Sequence, residues 1–95
     1  MKTEKATEFK ARMQGLSIAY SRVFEKQSPF THEVLKDLAK FCRASETTFH
    51  QDPRIHAVLE GRREVWLKIA NALNMTPEEL YELHKVKEFK GEKND

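Results

Sequence analysis

A chain of 95 residues is long enough for one small domain with a single modest core and too short for a second. With 34% charged and 39% apolar residues, and only three Gly and three Pro, the composition argues for a helix-rich protein over a β-sandwich, which needs turn residues at short intervals. The 17 Lys and Arg against 15 Asp and Glu leave a net charge of +2, too weak a field to mark the whole surface for nucleic acid, so any basic patch is local. Cys42 is the single cysteine, which excludes an intramolecular disulfide and suits a reducing cytosol. No apolar run approaches the roughly 20 residues that span a bilayer, and the opening MKTEKATEFK lacks the apolar stretch of a secretion signal.

From about Glu4 to Lys26, Phe9, Met13, Leu16, Tyr20, Val23 and Phe24 form a helical stripe, with Tyr20 to Phe24 expected to pack better than the first ten residues. Gly15 inside it costs about 1 kcal/mol relative to Ala, so a frayed or bent front half is expected. Ser28-Pro29 ends this helix. A second helix is predicted over 31–43, capped by Thr31 and presenting Val34, Leu35, Leu38, Phe41 and Cys42 on one face. Residues 44–51 read as a loop, in which Phe49 is expected to plug the end of the core.

The best-marked helix is predicted over 53–74, with Asp52 as cap and Pro53 at its first position. Ile55, Leu59, Trp66, Ile69 and Leu73, with Val58 and Val65 alongside, mark its buried face, and Asn74 ends it in left-handed geometry. Thr76-Pro77-Glu78-Glu79 is a capping box that starts a last helix, predicted over 77–88, through Leu80, Leu83 and Val86 with Tyr81 and His84 adjoining. Residues 1–8 and 89–95 are expected as disordered tails, Phe89 being the one apolar residue after Lys87. The expected architecture is all-α, a small four-helix domain filling 1–95, its long central helix packed on the other three.

Glu60-Gly61-Arg62-Arg63 is the most unusual local feature, because a mid-helix glycine usually admits the close approach of another helix. Glu60 can pair with Arg63, and Arg62 lies toward the apolar face, where it needs an acceptor such as Asp37, Asp52 or a subunit neighbour. Phe49, Asp52, Arg54, Glu60, Gly61, Arg62, Arg63 and Trp66 are therefore the candidate interaction or structural residues, with phosphate contact by the arginines as the lesser reading. Cys42, His50, Asp52 and His56 lack the tight pair of a zinc site, so no metal or other cofactor is expected. Cys42 reads as a core thiol, and the scattered carboxylates give no acid/base pair, so no enzymatic activity is expected.

Arg22-Val23-Phe24, the run Val34 to Cys42, Thr48-Phe49, Asp52-Pro53-Arg54 and the run Glu60 to Ile69 together resemble a family of small tailed-bacteriophage proteins. That family is named after a Bordetella phage member, and its genes often lie beside those for packaging and portal proteins. The resemblance runs from Val34 to Leu73 and leaves the helix from Pro77 outside. It implies a phage structural or assembly protein, present in the host cytoplasm during infection and then in the virion near the portal. Its implied partners are portal, capsid or internal virion proteins and a second copy of itself, with nucleic acid secondary.

Residues Arg54 to Leu83 also look like the back half of a phage-repressor helix-turn-helix domain, though without the tight turn before Glu60. The alternative is thus a small DNA-binding or regulatory module using Arg54, Arg62, Arg63 and Lys68 with Lys5, Lys10, Arg12 and Arg22.

Overall fold

A computed structural model describes the backbone of residues 2–83 and the side chains of residues 6–83. Among the described residues there are four helices and no strand, in agreement with the all-α class. They are α1, Lys2–Val23; α2, Pro29–Phe41; α3, Pro53–Ala72; and α4, residues 77–83. The expected end of α4 near 88, with His84 and Val86, and the tail to Asp95 with Phe89 lie outside the described residues.

α1 begins at Lys2, ahead of the predicted start, so most of the expected tail at 1–8 has helical backbone, and Gly15 does not interrupt it. α2 begins earlier than the predicted Thr31. Ser28 has extended backbone and accepts from the Phe30 N–H at 3.2 Å, with Pro29 at the first helical position. The proline that ends one segment therefore opens the next, and Thr31 is buried inside the helix. In α3 the Asp52 carboxylate accepts from the Arg54 N–H at 2.8 Å, and the helix runs unbroken past Gly61. That continuity removes the sharp two-helix geometry of a helix-turn-helix from residues 54–72.

Asn74 adopts the expected left-handed conformation, φ 59°. The capping box forms in both directions, with the Thr76 N–H donating to Glu79 at 2.8 Å and the Glu79 N–H donating to the Thr76 hydroxyl at 3.0 Å.

α3 is central, as the sequence predicts. Its Trp66, Ile69 and Ala70, with Leu73 at its C-cap, meet Leu35 and Ala39 of α2, Cys42 at that helix's C-cap and Leu80 of α4 in one buried cluster, with Tyr20 of α1 and Phe24 just beyond it packed against it. Trp66 is fully enclosed, and its indole N–H donates to the Pro77 carbonyl at 3.4 Å. α1 runs antiparallel to α3. The Ser17 hydroxyl donates to the Ala72 carbonyl at 2.8 Å and accepts from Asn74 at 3.3 Å, while Tyr20, Val23 and Phe24 lie beside Val65 and Ile69, farther back along α3.

Coverage differs from expectation in two places. On α2 the buried stripe is Thr31, Leu35 and Ala39, which turns Val34 and Phe41 to the outside. On α3 the apolar face is covered from Trp66 onward; Ile55, Val58 and Val65 are exposed and Leu59 is half-buried. The molecule measures 60 × 38 × 16 Å along its principal axes, too thin for each helix to bury a whole apolar stripe.

Candidate interaction surface

The segment between α2 and α3 is strapped to α3 by side chains of that helix. Arg43, just past the end of α2, takes a left-handed conformation with φ 54°, a geometry that costs an L-residue roughly 1–2 kcal/mol. Its own guanidinium offsets this by donating to the Thr47 carbonyl at 2.9 Å and pairing with Glu46 at 3.3 Å. Arg63 reaches across from α3 to donate to the Arg43 carbonyl at 2.9 Å and the Glu46 carbonyl at 3.2 Å. Glu60 accepts from the Thr48 hydroxyl, and the His56 ring meets the Thr48 carbonyl at 2.9 Å.

Glu60 and Arg63 thus hold the loop separately instead of pairing with each other, because each finds a partner in the strap. Replacing Arg63 with Met keeps the stem but strands two carbonyls. We expect a loss of about 1–3 kcal/mol, with faster amide exchange concentrated in residues 43–48.

The strap delivers Phe49 to the uncovered front half of α3, where it stands edge-on to His56 with ring centroids 5.9 Å apart. Phe49 is 67% exposed and does not plug the core; among the described residues no helix lies over this end of α3 for it to pack beneath. Arg62 finds neither Asp37 nor Asp52. Its guanidinium sits 4.3 Å from the centre of the Phe41 ring, whose negative face gives the charge a partner. Gly61 admits no neighbour either, since a Cβ built there meets nothing within 4 Å, so the expected close approach is absent among the described residues.

Asp52 serves as a cap, Arg54 is exposed in the first turn, and Trp66 is core. Phe49, Ile55, Val58, Leu59, Arg62 and Phe41 together make an apolar surface, at helical spacing along α3, with one cation inside it. Phe41 was legible only as part of a core stripe, and nothing in its local sequence marks it as the platform for an arginine.

The reactive side chains are otherwise occupied. Cys42 is buried, and burial pushes its thiol up, partly offset by a backbone hydrogen bond at Trp66 and the charge of Arg62. Thiol labelling of folded protein at pH 8 should therefore be slow and become fast on addition of denaturant. The His50 ring accepts from the Asp52 N–H at 3.0 Å, and among the described residues no three His, Cys, Asp or Glu converge in a group that could hold a metal ion. No described helix is long and apolar enough to cross a membrane.

The fold and surface define a small helical protein whose visible chemistry is that of apolar and cation–π contact. Comparison with protein families gives a match to the Bbp19-like phage protein family over residues 20–85, and the chain belongs to that family. The match is wider than the resemblance read from Val34 to Leu73, and it takes in the helix that starts at Pro77. No curated protein and no solved structure matches the chain.

Proposed function

We propose that this phage protein is a structural or assembly component that acts without catalysis, through helix-mediated contacts with virion proteins of the portal, the capsid or the interior. On this reading it works in the host cytoplasm during infection and then enters the particle. The observation that carries the proposal is the uncovered front half of α3, where Ile55 and Val58 stand exposed beside Phe49 and the Arg62–Phe41 pair. A contiguous apolar patch on a small charged protein is costly to leave in water, and aromatic and arginine side chains are the common anchors of protein interfaces.

Co-sedimentation of the purified chain with portal rings or empty capsids tests this. Binding carried by an apolar helix face should change little between low and moderate salt. Binding to DNA alone, with a steep fall in affinity as salt rises, would replace the proposal with the DNA-binding reading.

A further inference from the structure

Ser17, Tyr20 and Phe24 turn one side of α1 to the body of the protein, and the opposite side has no cover. At 100° per residue that outer side carries Glu8, Ala11, Gly15, Ala19 and Arg22, all exposed. Gly15 has no reason within the chain, because a Cβ built there meets nothing within 4 Å. A groove of about 380 Å³ runs along the flank of this stripe between α1 and α3; Leu16, Ala19 and Val23 form its α1 wall. Ala19 belongs to both, so stripe and groove are one surface.

The stripe is complementary to itself when reversed. Glu8 and Arg22 lie equally far from Gly15 on either side, and so do Ala11 and Ala19. Neither Glu8 nor Arg22 has an ion-pair partner among the described residues. The family match begins only at residue 20, so most of this stripe is a feature of the present chain outside the matched region.

We propose that two copies of this chain pair through α1, antiparallel and crossing at Gly15, with Glu8 of one copy against Arg22 of the partner subunit and Ala11 against Ala19 of the partner subunit. The small residues let the two backbones approach, and the missing side chain at Gly15 lies where they come closest. The charges set the register and direction. The overlap from Glu8 to Arg22 is roughly 21 Å long at 1.5 Å per residue, a short contact. The proposal deepens the reading of the chain as an interaction protein by naming one of its partners.

Sedimentation velocity on the full chain between about 1 and 100 μM is the test. A monomer–dimer equilibrium is expected. Gly15→Leu should raise the dimer dissociation constant about tenfold or more while increasing helicity, since leucine favours the helix and has open space within the chain. Glu8→Arg and Arg22→Glu should each weaken the dimer, and the double reversal should return the constant to within about threefold of the original. A monomer throughout the range, a dimer indifferent to Gly15→Leu, or a double reversal without rescue would overturn the pairing. A monomer that still binds portal or capsid leaves the assembly reading standing, whereas a dimer that binds neither removes that reading and keeps this one.

Discussion

Trp66→Ala should lower the stability of the protein by about 3–5 kcal/mol, the range for deleting a large aromatic from a packed core. For a domain of this size that is a fall in Tm of roughly 15–30 °C. Trp66 is fully buried, and it touches the structure at the point where α2, α3 and α4 meet. Its indole N–H also reaches the Pro77 carbonyl, so truncation removes a side-chain bond between the core of α3 and the first turn of α4. Trp66→Phe retains most of the apolar volume and loses that one long hydrogen bond, and should cost less than half as much. Chemical denaturation followed by circular dichroism measures both, and a loss below about 1 kcal/mol for the alanine variant would contradict this packing.

Ile55→Gln combined with Val58→Gln should leave stability nearly unchanged yet weaken binding to the proposed virion partner. Both side chains are about half exposed, and glutamine is at least as good a helix former as the residues it replaces. If the exposed half of each side chain is buried on binding, each contributes roughly 0.75–1.5 kcal/mol, so the pair should weaken binding by about 10- to 100-fold. Equal co-sedimentation by the double variant and the original protein would show that the front of α3 is not the contact. A variant that lost both binding and its melting transition would place these residues in the fold instead.

The parts of the fold that could be read from the sequence are those decided by neighbouring residues. Asp52-Pro53, Asn74 and the Thr76–Glu79 box each act over at most four positions, and each forms as expected. The start of α2 was misread for a local reason: Ser28-Pro29 signals both the end of one helix and the beginning of another, and Thr31 offered a second plausible cap.

Periodicity located the apolar face of α3 correctly, but a stripe does not state how much of its length another helix will cover. Ile55 and Trp66 carry the same sequence signal and differ completely in exposure. The candidate residues show the same division. Asp52 needed only its own helix to declare its role, whereas Arg62 and Arg63 depend on Phe41 and on the carbonyls of Arg43 and Glu46, which the folded chain brings from well before α3. Phe49 follows the strap outward, and its place was fixed by Glu60 and His56 holding Thr48.

On the proposed function, the exposed helical faces serve assembly with other phage proteins. Quantitative mass spectrometry of purified particles, with copy number normalised to the portal protein, tests it most directly. A fixed stoichiometric ratio is expected for the original protein, and its loss for the Ile55→Gln, Val58→Gln variant. Absence of the original protein from particles and from isolated assembly intermediates, despite abundance in infected cells, would contradict it.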